Sequence, residues 1–198
     1  MAEISARKRI WGWFFFDWAS QPYNTLLLTF IFGPYFAGVV TEMLQNDGMQ
    51  PGAARAQAQA YWGYGLAASG VIIALLAPIL GAFADSRDRR MPWVWLFSVM
   101  YLVGAACLWM TEPASFDVVK TLIFFGIGLI GMEFATVFTN AMLPNLGTRE
   151  EIGSISGSGW AFGYMGGVFA LVIMLLLFQA GANGLTMLGL EPLFGLDV

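Results

Sequence analysis

The stretch that decides the fold is LGAFADSRDRR, residues Leu80–Arg90, where an apolar run ends and a basic loop begins. The small residues Gly81, Ala82 and Ala84 precede Asp85. Arginines follow at positions 87, 89 and 90, and a second apolar run starts at Pro92. Arginine clusters in short loops between membrane spans remain on the cytoplasmic side. This loop therefore predicts the orientation of the spans on either side of it.

The composition is that of an integral membrane protein in a lipid bilayer. The 198 residues are 58% hydrophobic and only 11% charged, whereas a soluble domain carries about 25% charged residues. There is no histidine, and the single cysteine, Cys107, lies inside an apolar run. We expect no metal site, cofactor, intrachain disulfide or nucleic-acid partner, and no nucleophile–base pair or phosphate loop indicates an enzyme.

Five runs are long enough to cross the hydrocarbon core, which takes about 20 mostly apolar residues. They predict an all-α, polytopic membrane protein in which residues 1–198 form a single membrane domain. The predicted helices cover about 11–40, 60–84, 92–110, 118–143 and 149–178. The polar segment 41–59 is expected to be an external loop, with room for a short helix at its end. Thr148 and Glu151 have the spacing of a capping box at the start of the fifth helix.

The basic residues test this topology. Of the nine, only Arg55 and Lys120 fall on the predicted external side. The remaining basic residues fall on the other side: Arg7, Lys8, Arg9, Arg87, Arg89, Arg90 and Arg149. This bias predicts a cytoplasmic N-terminus and an external C-terminus. Because an odd number of spans is unusual in a transporter, we expect the chain to be the front part of a longer protein.

Two predicted spans carry an acid within a one-sided polar row. The first row is Asp17, Gln21 and Asn24, and the second, on the fourth helix, is Glu133, Thr136 and Asn140. Because residues three or four apart share a helix face, the rows predict a water-filled cavity between these helices, with acids on a substrate or proton pathway. Alternatively, Asp17 reaches the interface and Glu133 is a protonated acid hydrogen-bonded within the bundle.

The fifth predicted helix carries Gly159, Gly163 and Gly167 at four-residue spacing. Such a face lets two helix backbones approach closely in lipid, and we favour packing over direct ligand contact. Trp160 and Tyr164 beside it could pack or line a cavity. The aromatic run from Trp11 to Trp18 is typical of an interfacial belt.

The opening loop resembles the loop between the second and third helices of the major facilitator superfamily. Its matching residues are Gly81, Asp85, Arg89 and Arg90. The resemblance implies that they form a cytoplasmic latch between the two halves of a transporter.

A narrower resemblance is to the branch of vacuolar amino-acid effluxers, called in bacteria the "unknown major facilitator" family. The matching segments are Asp17–Ala19, Tyr23, Thr29–Phe36, Asn140–Pro144 and Gly157–Gly167. The resemblance implies twelve helices, so that a sixth helix and a second half are absent here.

These observations predict a bacterial inner-membrane permease for a small solute, an amino acid or related metabolite, that works by alternating access. The alternative is a non-transporting membrane subunit or assembly factor that uses a transporter-derived scaffold. In the first case the chain's partners are its substrate and a missing C-terminal half. In the second they are other membrane proteins.

Overall fold

The computed structural model describes residues 5–86, 90–181 and 183–193, and within these ranges the chain is helical with no β-strand. The α-helices are α1 (Ala6–Pro22), α2 (Phe32–Asn46), α3 (Pro51–Ser86), α4 (Met91–Leu108), α5 (Val118–Asn140) and α6 (Ile152–Leu177). A π-helical segment, Tyr23–Phe30, joins α1 to α2. Five helical stretches of the described chain are long and apolar enough to cross a membrane, which confirms the predicted all-α polytopic class.

The first span is not one regular helix. Pro22 ends α1, and because proline has no N–H it supplies no hydrogen bond to the carbonyl four residues earlier. The next turns are wider, and the Ile31 N–H donates to the Leu26 carbonyl five residues back, at 2.9 Å. The span therefore reaches from Ala6 to Asn46, beyond the 11–40 expected from apolarity.

The segment 41–59, predicted to be a loop with at most a short helix at its end, is mostly helical, and its external position stays a prediction. α2 continues to Asn46 and α3 already begins at Pro51, so that only 47–50 form the turn, with Gly48 at a φ of 93°. Proline is favoured at the first helical position, and the alanines and glutamines that follow are strong helix formers. At 36 residues, α3 is about 54 Å long, so part of it must project beyond the ~30 Å hydrocarbon core.

The capping-box residues lie one turn before α6 rather than in its first turn. The Glu151 carboxylate accepts the Thr148 backbone N–H at 2.9 Å, and α6 begins at Ile152. Hydrogen bonds from the Thr148 backbone and hydroxyl lower the pKa of Glu151. The helix thus begins at Ile152 and not at the predicted residue 149, because residues 148–151 form a separate turn first.

Packing divides the chain into two compact units. The first, described over 5–33 and 146–193, consists of α1, the π-helical segment, α6 and the chain after it. Its contacts run between α1 and α6 and between the π-helical segment and α6. Four rings of α1 surround the Phe162 ring on α6, with centroids 5.3–6.5 Å away: Trp11, Phe14, Phe15 and Trp18.

The second unit, 34–145, packs α3 and α4 against α5. Large side chains fill one region of its core, where the Trp62 and Phe125 rings lie 4.5 Å apart. Elsewhere glycines bring the backbones together. A Cβ on Gly104 would meet the backbone of Gly128, and one on Gly131 would lie 2.7 Å from the Tyr101 nitrogen. Close backbone approach of this kind is typical of helix pairs in lipid.

Candidate functional site

In the first unit, the polar row of α1 lies against the glycine face of α6. The position that a Cβ on Gly163 would take is occupied by the carboxylate of Asp17. At Gly167 the same position is occupied by the Thr25 hydroxyl, with the Gln21 Cγ 3.1 Å away. Asp17, Gln21 and Thr25 are spaced four residues apart and follow the glycines of α6 across the seam.

Two tryptophans of α1 contribute to the same seam, Trp13 at its Gly159 end and Trp18 between Gly163 and Gly167. A Cβ on Gly159 would overlap the Trp13 ring, and one on Gly166 would meet the Trp18 carbonyl. Trp13 is 5% exposed, so this member of the aromatic run is a core residue and not part of an interfacial belt. The predicted packing glycines Gly159, Gly163 and Gly167 all lie at the seam, and Gly166 joins them. The exposed rings of Trp160 and Tyr164 lie 6.1 Å apart on another face of α6.

The Asp17 carboxylate is the ionisable group of this seam, and it faces a glycine of α6. Asp17 is half-buried within a span, where an acid is costly and marks a functional position by default. Its neighbour on α6, Gly163, has no side chain, and the Cα–H that it presents to the carboxylate is a weak donor. The Ser20 hydroxyl does not compensate, because it donates to the Asp17 backbone carbonyl at 3.1 Å.

Asn24, the third member of the predicted row, lies in the π-helical segment. Its backbone carbonyl accepts the Thr29 hydroxyl at 2.9 Å. π-Helical turns within α-helices are rare and occur frequently at functional sites. The row from Asp17 to Asn24 therefore crosses from a regular helix into a widened one.

The second predicted row lies on α5 in the other unit. Glu133 and Thr136 are half-buried and Asn140 is exposed. The Thr136 hydroxyl donates to the Met132 sulfur at 3.7 Å. The cavity expected between this row and that of α1 stays a prediction.

The predicted latch is described only in part. Gly81 lies on α3, where no described atom lies within 4 Å of the position of an added Cβ. The Asp85 side chain and all of Arg89 lie outside the described residues. The Arg90 guanidinium donates to the Ala141 carbonyl, which follows the last turn of α5. In this structure, one member of the latch thus bonds to its own unit.

Among the described residues, no three His, Cys, Asp or Glu side chains converge on a position that could hold a metal ion. The polar groups of α1 and α5 instead suit contact with a polar solute, water or a proton. What the arrangement offers is a set of carboxylate, amide and hydroxyl groups within apolar spans.

Comparisons with known proteins agree with the resemblance. A family model described as "Vacuole effluxer Atg22 like" matches residues 5–153. The chain belongs to this family. It is also 28% identical over 172 residues to the "Uncharacterized MFS-type transporter YxiO" of Bacillus subtilis (strain 168). That match covers 85% of this chain and 38% of the relative, so the chain spans less than half the length of the protein it resembles. No solved structure matches it.

The family match and the MFS-type relative confirm the predicted relationship to the major facilitator superfamily. Together with the five apolar helices they support an integral membrane protein, and they point to a non-enzymatic one. The matched region contains α1 through α5 and ends at the start of α6. Both predicted polar rows therefore lie within it.

Sequence reasoning missed three features that position these groups. Thr25 continues the row of Asp17 and Gln21 at the same four-residue spacing, which was a detectable signal. The close approach of the α4 and α5 backbones at Gly104 and Gly128 had no such signal in the sequence. It depends on two residues that lie 24 positions apart in the chain. The contact of Phe162 with α1 likewise depends on which face of α6 meets that helix.

Proposed function

We propose that this chain is the N-terminal part of a membrane transporter that moves a small solute by alternating access. The observation that carries the proposal is the polar row of Asp17, Gln21 and Thr25, held within a span against the glycine face of α6. An apolar span that only filled space would not need a carboxylate there. The family relationship supports a role in transport for this carboxylate.

The proposal extends to the setting of the protein. Residues 1–198 would form a single membrane domain in a bacterial inner membrane, with a cytoplasmic N-terminus and an external C-terminus. The distribution of arginine and lysine supports this orientation. An amino acid or related metabolite is the proposed substrate, because its ammonium group would pair with a carboxylate and its carboxylate with amides.

The experiment is substrate counterflow in proteoliposomes that contain the protein at its natural length. A mixture of labelled amino acids is offered to the unaltered protein, to Asp17→Asn and to Asp47→Asn. Asp47 is a matched control because it undergoes the same chemical change in the exposed turn between α2 and α3. We expect Asp17→Asn to lower uptake about tenfold, equivalent to ~1.4 kcal/mol, and the control to transport normally.

Equal uptake by Asp17→Asn and the unaltered protein would remove Asp17 from the pathway. No uptake of any labelled solute, together with co-purification in a large assembly, would favour a membrane subunit without transport activity.

Proton coupling through Asp17 or Glu133 is a separate part of the proposal. The variant carrying both Asp17→Asn and Glu133→Gln should lose the pH dependence of uptake, because amides cannot exchange a proton near neutral pH. Uptake with an unchanged pH profile in this double variant would exclude coupling through these acids.

A further inference from the structure

The chain after α6 folds back on itself in two consecutive five-residue loops. In the first, the Gly181 N–H donates to the Leu185 carbonyl at 2.9 Å and the Gly184 N–H donates to the Gly181 carbonyl at 2.9 Å. In the second, the Thr186 N–H donates to the Leu190 carbonyl and the Gly189 N–H to the Thr186 carbonyl, both at 2.8 Å. The same bonding pattern therefore repeats at an interval of five residues.

The sequence GANGLTMLGL explains the repetition. Each loop carries glycine at its fourth position, and both Gly184 and Gly189 have a φ of 72°, where a side chain would be strained. The Asn183 carboxamide also accepts the Leu185 N–H at 3.1 Å. Several backbone groups of the segment are thus paired locally, which lowers the cost of removing them from water.

Four large apolar side chains of this segment are exposed. Their exposed fractions are far higher than those of core residues: Met187 76%, Leu188 53%, Leu190 59% and Leu193 40%. We call these four residues the tail surface. Among residues 178–193 only Glu191 is charged, and no lysine or arginine occurs after Arg149.

The length of α6 places the tail surface near the edge of the bilayer. α6 has 26 residues and is about 39 Å long, which exceeds the ~30 Å hydrocarbon core. Because charged side chains are costly in the hydrocarbon, we expect Arg149, Glu150 and Glu151 to keep its N-terminal end in water. Leu177 would then lie near the opposite boundary of the bilayer, with the loops beginning only a few residues beyond it.

We propose that the tail surface inserts into the boundary between headgroups and acyl chains of the bilayer. The partner is the lipid surface itself, because apolar side chains next to a membrane span bury most directly there. The absence of basic residues means that anionic headgroups would contribute no attraction. The loops would therefore bind uncharged and anionic bilayers alike and fix the depth at which α6 ends.

The test uses the protein at its natural length, with every cysteine replaced by serine, Cys107 included. A nitroxide label is attached after Leu188→Cys and, in a reference variant, after Asp47→Cys, which lies in the exposed turn between α2 and α3. Electron paramagnetic resonance then measures collisions of each label with oxygen, which concentrates in lipid, and with a water-soluble nickel complex. Vesicles of phosphatidylcholine are compared with vesicles that also contain phosphatidylglycerol.

We expect the label at 188 to collide several-fold more with oxygen, relative to nickel, than the label at 47, in both kinds of vesicle. Equal oxygen-to-nickel ratios at 188 and 47 would place the tail surface in water and overturn the proposal. Protection of the label at 188 from both reagents would also overturn it, because a second copy or another part of the protein would then cover the surface. A ratio that rises only with phosphatidylglycerol would contradict the argument from charge.

Discussion

Replacing Gly104 by alanine should separate α4 from α5 and destabilise the second unit. A Cβ at this position would lie 2.9 Å from the Phe124 carbonyl oxygen and would overlap the backbone nitrogen and Cα of Gly128. These atoms belong to a helix backbone, so that no change of rotamer can move them aside. The two helices themselves must move apart.

The magnitude follows from the required displacement. Carbon atoms in ordinary contact lie about 3.5–4.0 Å apart, so relief of the overlap requires a shift of roughly 1 Å along the interface. Overpacking of this kind costs about 1–3 kcal/mol. Alanine also has a higher helix propensity than glycine, by up to ~1 kcal/mol, which opposes the loss. A control must therefore measure the propensity term.

Gly70→Ala is that control. Gly70 lies inside α3, is exposed, and has no described atom within 4 Å of its added Cβ. The free energy of unfolding can be measured in mixed micelles by titration with dodecyl sulfate, followed by far-ultraviolet circular dichroism. We expect Gly104→Ala to be less stable than Gly70→Ala by about 1–3 kcal/mol.

A second variant tests whether the effect is general to the close contacts between α4 and α5 and not specific to position 104. A Cβ on Gly131 would lie 2.7 Å from the Tyr101 nitrogen and 2.9 Å from the Phe97 carbonyl oxygen. Gly131→Ala should therefore shift stability in the same direction. If both variants were as stable as Gly70→Ala, the helices would not meet through their backbones and the reasoning would be refuted.

Three further changes test other contacts. Phe162→Ala removes a half-buried ring that α1 surrounds and should cost less than the ~3–5 kcal/mol of a fully buried ring, whereas unchanged unfolding in mixed micelles would contradict the ring contacts. Arg90→Gln should weaken the bond to the Ala141 carbonyl by about 1 kcal/mol and speed amide exchange at 138–142, and unchanged exchange would show that the bond does not hold the end of α5. Hydrogen bonds from Thr148 lower the pKa of Glu151 below its ordinary value of 4.5. These bonds therefore stabilise the fold fully at pH values above 4.5, and their contribution is lost as the pH falls through the lowered pKa. Glu151→Gln should accordingly flatten the dependence of unfolding free energy on pH in that acid range, and a slope equal to that of the unaltered protein would refute the assignment.

The predicted polar rows show how far residue types carry an argument about a site. The spacing of Asp17 and Gln21 correctly placed both on one face of α1, because helical geometry is local. The same spacing did not indicate which helix meets that face. In the structure Gly163 and Gly167 of α6 lie against it, and the cavity expected between this row and that of Glu133 stays a prediction.

The basic loop shows the same division. Its resemblance to the major facilitator loop predicted a latch to a second half of the protein, and that latch stays a prediction. The structure adds a contact that the resemblance did not indicate, because Arg90 donates to the Ala141 carbonyl, 51 residues away in the chain. The last carbonyl groups of α5 have no hydrogen-bond partners within the helix. Which side chain reaches them cannot be predicted from a local sequence pattern.

By itself the sequence determined the five membrane spans, the all-helical class and the family, because a hydrocarbon environment requires long apolar helices wherever the chain crosses it. Only the tertiary structure decided the partner of each helix face and the extension of α3 beyond the apolar run. Lipid and apolar side chains are alike in polarity, so that burial leaves no hydrophobic stripe to read along a span. Contact between helices depends instead on close fit, as at Gly104 and Gly163, and fit is a property of two surfaces together.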